Sequence, residues 1–193
     1  MIQTLTNNAE KKREIKMTNL NTYTIENINT QVIFSGQFNS FKECIEDAVK
    51  NKVDLSFANL RNVRLSNVNL KGACLEGACL TWVKLEDACL EDSSLKGANL
   101  RNATLSRVNF KYADLENCDL GYTDVINSKF CKSKLKGSNL ENAGLVNSVF
   151  LNTDLQNADF SKAKLVNTNF ECANLSEIKL DDTNFINVKF KTI

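Results

Sequence analysis

The sequence predicts an all-β solenoid with a square cross-section, and two periodicities predict it. The first is a large apolar residue at every fifth position from Leu55 to Phe190, which gives 28 positions occupied by 20 Leu, 7 Phe and one Val. A helix repeats its buried face every 3.6 residues and a strand every two, so a period of five fits neither. Uninterrupted self-similarity of this kind is typical of a solenoid.

The second period is 20 residues long and sets the number of sides. Five of the seven repeat phenylalanines are spaced 20 apart, at Phe110, Phe130, Phe150, Phe170 and Phe190. Four five-residue segments joined by four corners place residue n beneath residue n + 20, so we expect these rings to form a core ladder. The 28 positions, shared among four sides, predict about seven coils. Each coil is stabilised by stacking on its neighbours.

Each five-residue unit also carries a small or β-branched residue two positions before the large one, as at Ala58, Ala98 and Ala173. Residues two apart on an extended segment point to the same side. Both residues therefore fill the interior, and the last two residues of the unit turn the corner.

Units such as Ala58-Asn59-Leu60, Ala113-Asp114-Leu115 and Ala173-Asn174-Leu175 resemble the A(D/N)LXX signature of the pentapeptide-repeat family. The resemblance covers about 140 of the 193 residues. It implies a right-handed quadrilateral parallel β-helix. For the best-understood members it also implies mimicry of B-form DNA and binding to type II topoisomerases such as DNA gyrase.

The chain divides into three predicted regions: residues 1–19, 20–52 and 53–193. The first is polar and without period, which predicts disorder. Within it, Met17 is a candidate native start, because the codons for residues 12–16 can form a purine-rich ribosome-binding sequence. The third region is the solenoid.

The middle region, residues 20–52, is predicted to be a β-hairpin followed by a helix. Alternating apolar residues indicate strands over 22–28 and 31–37. Ser40 and Glu43 form a capping box, and the helix that follows ends near Asn51. Its apolar residues fall on one side: Phe41, Cys44, Ile45 and Ala48. We expect this unit to cover the first coil, since an open coil exposes unpaired strand edges; a recognition role is the alternative.

Charge and composition narrow the function. The chain has 24 basic and 23 acidic residues, and from Asp54 to Lys191 there are 17 of each sign. No net field therefore attracts nucleic acid or an anionic membrane. No apolar run has the length of a membrane span, and the N-terminus lacks the apolar segment of a signal peptide. We expect a cytoplasmic protein that binds neither membrane nor nucleic acid directly.

The sequence does not predict an enzyme, a cofactor or a metal site. There is no His, which removes the usual general base and the commonest zinc ligand. Acidic pairs such as Glu86-Asp87 and Asp181-Asp182 occupy outward or corner positions, where solvated surface is the simpler interpretation. No two of the seven Cys are 20 apart, so none should stack within disulfide reach.

One stretch of exterior is unusual. On the side whose inward residues include Leu65, Leu85 and Leu105, the outward residue becomes aliphatic in the last four coils, with two more aliphatic residues around the corner: Ile126, Val146, Val166, Ile186, Val149 and Leu151. Contiguous exposed apolar surface marks an interaction site, although β-branched residues also simply favour extended segments. A column of Asn residues beside it is assigned to corner hydrogen bonding.

Two functions follow as hypotheses. In the first, the protein is a rigid interaction module or scaffold whose protein partner contacts this aliphatic surface. In the second, it is a DNA mimic that binds a DNA-binding protein such as gyrase, which the balanced charge disfavours. We also expect a homodimer through the C-terminal coil, where an uncovered parallel edge invites a second copy.

Overall fold

The protein alternates very short extended segments with corners after an N-terminal hairpin and helix. The structure is a computed structural model that describes residues 20–190. The segment 1–19, predicted to be disordered, lies outside the described residues. The regular elements are β1 (Asn21–Glu26), β2 (Val32–Phe38), α1 (Phe41–Lys50), β3 (Asp124–Ile126), β4 (Gly144–Val146), β5 (Lys164–Val166) and β6 (Asn184–Ile186).

Parallel bridges between residues n and n + 20 confirm the four-sided register. They begin with the pair Asn59 and Cys79 and continue to the pair Asn169 and Lys189. Every side of the solenoid contributes bridges, so each coil lies in register on the one below it. In most units the large residue and the small residue two positions before it belong to one continuous buried core.

Where an Asp or Asn precedes the large residue of a unit, its side chain has a structural task at the corner. The Oδ1 atom of Asp119 accepts a hydrogen bond from the backbone N–H of Gly121 at 2.9 Å, and that of Asn99 accepts one from Arg101 at 3.0 Å. The next residue takes a left-handed conformation, as at Asn102 with φ of 61°. Short polar side chains that bond to the backbone two residues on are typical of tight turns.

The five repeat phenylalanines lie one above another. Successive ring centroids from Phe110 to Phe190 are 4.8, 4.5, 5.0 and 5.6 Å apart, and all four pairs are stacked. Phe110, Phe130 and Phe150 are fully buried, whereas Phe190 is 52% exposed. Leu180 and Phe185, in the same final coil of the described region, are also exposed.

The hairpin differs from its predicted bounds by one or two residues. Strand β1 ends at Glu26, two residues before the predicted end, because Oδ1 of Asn27 accepts from the backbone N–H of Asn29 at 2.9 Å and of Gln31 at 3.0 Å. These bonds form a turn that begins at Asn27, so residue 28 belongs to the turn and not to the strand. Strand β2 pairs with β1 in antiparallel register, with a shift after Ile25.

Both N-terminal elements contact the first coil. The carbonyl of Glu26 accepts from the N–H of Asn59 at 2.7 Å, and the N–H of Ile28 donates to Phe57 at 2.9 Å. From α1, the Oε1 atom of Glu46 accepts from the N–H of Asn69 at 2.8 Å. Backbone donors that have no earlier coil to pair with are thus partly satisfied by the hairpin and the helix.

Helix α1 begins as predicted, with one difference at its cap. The Oγ atom of Ser40 accepts from the N–H of Glu43 at 3.1 Å. The Glu43 carboxylate, however, accepts from the N–H of Asn39 at 3.0 Å rather than from that of Ser40. Cys44, Ile45 and Ala48 are buried and Phe41 is half-buried, so the predicted apolar side faces the core.

Candidate protein-binding face

The predicted aliphatic surface lies on a small, flat parallel sheet. Strands β3, β4, β5 and β6 pair in sequence order without any shift, so each residue lies directly over the one 20 positions earlier. The central residue of β3, of β4 and of β5 is buried in the core. The residue after it points outward and forms a column, hereafter the aliphatic face, made of Ile126, Val146, Val166 and Ile186.

Hydroxyl groups bond between coils on the side where the backbone becomes extended. Elsewhere the small residue donates its N–H three residues back, as from Ala88 to Leu85 at 3.0 Å. The corresponding bond from Ser128 to Val125 is replaced by the hydroxyl of Ser148 in the next coil. This hydroxyl donates to the carbonyl of Val125 at 3.0 Å and accepts from the N–H of Ser128 at 3.1 Å. In the coil of β3, these bonds between coils stand in place of the local turn bond from Ser128 to Val125.

The aliphatic face is partly open to solvent. Ile126 is 37% exposed and Ile186 is 42% exposed, while Val146 and Val166 between them are half-buried. The two valines are less open because each lies between two neighbours of its own column. The two residues predicted around the corner, Val149 and Leu151, are half-buried and lie on the adjoining side.

A column of asparagines forms the border between these two sides. The Nδ2 group of Asn167 donates to Oδ1 of Asn147 at 2.9 Å, and that of Asn187 donates to Oδ1 of Asn167 at 3.2 Å. The four asparagines of this column, Asn127, Asn147, Asn167 and Asn187, have positive φ between 51° and 56°. The corner is therefore held by side-chain amides as well as by backbone bonds, as expected from the sequence, and the face it borders is preorganised.

Side chains that could ligate a metal do not cluster in the part of the chain that the structure describes. Residues 20–190 contain no group of three or more His, Cys, Asp or Glu side chains arranged to hold a metal ion. All seven Cys are unpaired. Burial raises the pKa of the Cys118 thiol to about 12, and this thiol donates to the carbonyl of Leu95 at 2.7 Å. Residues 20–190 also contain no helix with the length and hydropathy of a membrane span.

Sequence reasoning missed a second surface feature, which is a set of aromatic residues at corner positions. Phe57, Trp82, Tyr112 and Tyr122 are all exposed, and all have φ between 59° and 62°. The guanidinium of Arg101 lies 4.4 Å from the ring centroid of Tyr122. The sequence does contain a signal for this feature, which is an aromatic residue in the last position of a unit. Most units carry Asn, Asp, Gly or Lys there.

The geometry defines a class: a four-sided parallel β-solenoid repeat protein with an aliphatic face on one side. Two family models match the chain. One, the pentapeptide repeat region, matches residues 103–185, and the other, pentapeptide repeats in eight copies, matches residues 51–87 and 84–121. The protein belongs to the pentapeptide-repeat family.

Several solved structures resemble the chain. A pentapeptide repeat protein of the Arabidopsis thaliana thylakoid lumen is 24% identical, with 56% of this chain and 69% of that chain covered and a TM-score of 0.41. HetL, involved in heterocyst differentiation regulation in the cyanobacterium Nostoc sp., is 21% identical over 69% and 81% of the two chains, with a TM-score of 0.28.

QnrB1, a plasmid-mediated fluoroquinolone resistance protein, is 15% identical over 71% of this chain and 84% of its own, with a TM-score of 0.32. Scores at this level carry no argument about function. A search of curated proteins finds no match to the chain.

Proposed function

We propose that the protein is a rigid, non-enzymatic interaction module that binds a protein partner through the aliphatic face. The observation that carries the proposal is the in-register column of Ile126, Val146, Val166 and Ile186 on a sheet whose backbone is fully engaged with neighbouring coils. The solvated face of a sheet normally carries polar side chains, so a continuous aliphatic column at an outward position is unusual. Aliphatic surface of this kind gains free energy when a partner covers it.

The column of four aliphatic residues is too small to form a stable protein interface by itself. Four strands at a spacing of about 4.8 Å make a surface less than about 20 Å long. A stable protein interface buries about 800 Å² on each partner, which is more than this column alone offers. The proposed partner therefore extends around the asparagine border onto Val149 and Leu151. Since stacked coils have little to rearrange, binding is rigid docking.

The proposal includes the finer features that the family resemblance implies for the solenoid: a right-handed β-helix of about seven coils with the hairpin and α1 as its cap. It also includes a homodimer through the C-terminal coil, which is supported by the exposure of Leu180, Phe185 and Phe190. Seven unpaired thiols favour a reducing compartment such as the cytoplasm.

Mimicry of DNA is the weaker candidate on electrostatic grounds. A DNA mimic must present a continuous anionic surface, yet one coil of this solenoid carries four exposed lysines in eight residues: Lys129, Lys132, Lys134 and Lys136. Of these four, only Lys134 belongs to an ion pair in the described residues, at 3.5 Å from Asp114. A positive band across the rod opposes entry into a cleft that binds a polyanion.

A comparative pull-down from host lysate tests the proposal. The test variant is Val146→Lys/Val166→Lys, and the control is Gln156→Lys/Ser176→Lys, which adds two lysines at the same repeat position of the same coils on another side. We expect a partner captured by the wild type and the control to be lost with the test variant. Equal capture by all three proteins would overturn the proposed role of the aliphatic face.

A further inference from the structure

A second surface gathers the residue types that dominate protein interfaces. It is the corner between the side of Leu60 and the side of Leu65, in the early coils of the solenoid. Four arginines lie in the described residues, and three of them are here together with the single Trp of the chain. We call this set the Arg–aromatic corner: Arg61, Arg64, Trp82, Lys84, Arg101 and Tyr122.

Trp82 and Tyr122 occupy the same corner position two coils apart, with Asn102 between them. Their side chains are 53% and 47% exposed. The guanidinium of Arg101 lies over the Tyr122 ring at 4.4 Å and reaches Oδ2 of Asp119 at 3.6 Å. An arginine stacked on an exposed aromatic ring forms a flat, stiff and amphipathic contact surface.

The fold gains nothing evident from an aromatic residue at this position. Trp82 has φ of 60° and Tyr122 has φ of 59°, a region in which a bulky side chain is strained. Asn62, Asn102 and Asn142 fill the same position in other coils, and Asn tolerates that conformation well. Since about half of each aromatic side chain faces solvent, burial offsets little of this cost.

Of the four cations of the corner, Arg101 reaches Asp119, and the other three form no ion pair within the described residues. Arg64 and Lys84 pair in a parallel bridge, so two positive side chains project from adjacent coils at a backbone separation of about 4.8 Å. None of the ion pairs formed by residues 20–190 includes Arg61, Arg64 or Lys84. An external carboxylate would relieve this repulsion and match the fork of an arginine.

The shape of the surface distinguishes between two kinds of anionic partner. Single-stranded nucleic acid is held in positively charged grooves that follow its backbone, whereas a corner of a square solenoid is convex. Asp119 and Asp124 also border the corner on its later coils, where a continuing phosphate backbone would meet them. A protein pocket needs only a local contact, and exposed Trp, Tyr and Arg are the side chains that most often supply its binding energy.

We infer that the Arg–aromatic corner is a second binding surface, distinct from the aliphatic face, that docks into a carboxylate-rich concave surface of a protein partner. Trp82 and Tyr122 act as the apolar anchors. Arg61 and Arg64, with Lys84, contact the carboxylates of the partner. Because this surface shares no residue with the aliphatic face, the two proposals stand or fall separately.

The single Trp of the chain makes a site-specific test possible. Emission from Trp82 in the full-length protein is titrated with poly-L-glutamate at about 50 mM salt, where surface charges are weakly screened. We expect a saturable change in emission that weakens as salt is added. The variant Arg61→Glu/Arg64→Glu should bind about tenfold more weakly or not at all. The variant Arg61→Lys/Arg64→Lys should show an intermediate loss, because lysine keeps the charge but lacks the fork.

Two control variants separate this surface from general charge and from the aliphatic face. Lys129→Glu/Lys136→Glu makes the same change in net charge on other sides of the solenoid, and it should bind poly-L-glutamate as the wild type does. Val146→Lys/Val166→Lys should also keep the response. Circular dichroism checks that each variant remains folded.

Three results would overturn the inference. One is the absence of any change in Trp82 emission at low salt. Another is an equal loss of binding in the Lys129→Glu/Lys136→Glu control, which would show attraction to bulk charge only. The third is tighter binding of oligothymidylate than of poly-L-glutamate, which would assign the corner to nucleic acid.

Discussion

The hydroxyl of Ser148 bonds to the carbonyl of Val125, 23 residues earlier and one coil below, at 3.0 Å. The same oxygen accepts from the N–H of Ser128 at 3.1 Å. One buried side-chain atom thereby satisfies two backbone groups of the preceding coil. Ser128 makes the equivalent contact to the N–H of Val108 at 2.9 Å, and Thr168 donates to the carbonyl of Leu145 at 2.8 Å. These hydroxyls join the coils beneath the aliphatic face.

Replacing Ser148 with Ala should destabilise the protein by about 1–3 kcal/mol, because buried backbone groups lose their partner. Ser138→Ala is the matched control. Its Oγ atom is buried and is the one buried side-chain polar atom of residues 20–190 that lacks a hydrogen-bond partner. We therefore expect Ser138→Ala to be neutral or stabilising. Urea unfolding followed by circular dichroism measures both, and equal losses in the two variants would contradict the assignment.

The phenylalanine ladder predicts a graded effect of truncation. Phe150 is fully buried between two stacked rings at 4.5 and 5.0 Å, so Phe150→Ala should cost about 3–5 kcal/mol. Phe190 is 52% exposed and stacks on one ring at 5.6 Å. Its truncation should cost much less. Unfolding midpoints of the two variants test this order, and a cost at Phe190 as large as at Phe150 would indicate that Phe190 is covered in solution, as in the proposed dimer.

The buried thiol of Cys118 predicts a loss of stability at alkaline pH. Burial raises its pKa from an ordinary value of 9.0 to about 12 in the folded protein. Above pH 9 the unfolded chain releases this proton while the folded chain retains it, so stability falls as pH rises through this window. The slope from this group is at most about 1.4 kcal/mol per pH unit.

Unfolding free energies of the wild type and of Cys118→Ala at several pH values from 8 to 11 measure that slope. The variant should be less stable at pH 8, because it leaves a small cavity, but should lose less on going to alkaline pH. Identical slopes would show that the thiol titrates normally. In native protein, thiol reagents should also modify Cys118 more slowly than the half-buried Cys131.

The parts of the fold that were predictable are those fixed by backbone stacking. A period of five together with the 20-residue coil places Phe130 under Phe150, and the same register places Asn147 under Asn167, whatever the details of the corners. The extended side was not predictable from the period alone. In the coil of β3 the local bond from the N–H of Ser128 to the carbonyl of Val125 is replaced by bonds of both groups to the hydroxyl of Ser148, which is 23 residues after Val125.

The candidate surfaces, too, have some features that the sequence predicts and others that only the structure shows. Outward placement of Val146 and Val166 follows from the repeat, but their partial burial depends on how neighbouring side chains in the column cover them. The stacking of Arg101 on Tyr122 depends on side-chain torsions across a corner, which no periodicity encodes. A sequence thus locates outward positions in this fold, whereas exposure and cation–aromatic contacts require the structure.

A change of stability at Trp82 can show whether the aromatic residue serves the fold or a partner. Asn is the commonest occupant of this corner position, and it adopts the left-handed conformation with less strain than a bulky side chain does. We expect Trp82→Asn to stabilise the protein by about 1 kcal/mol and, by calorimetry, to weaken binding of poly-L-glutamate. Tyr112→Asn, at another corner with φ of 62°, should give a similar gain in stability and leave that binding unchanged. A gain of stability together with a loss of binding in Trp82→Asn alone would mean that the indole is kept for contact at the expense of the fold. Lower stability of Trp82→Asn would instead show that the indole packs against the solenoid, and it would remove the main reason to regard this corner as a binding surface.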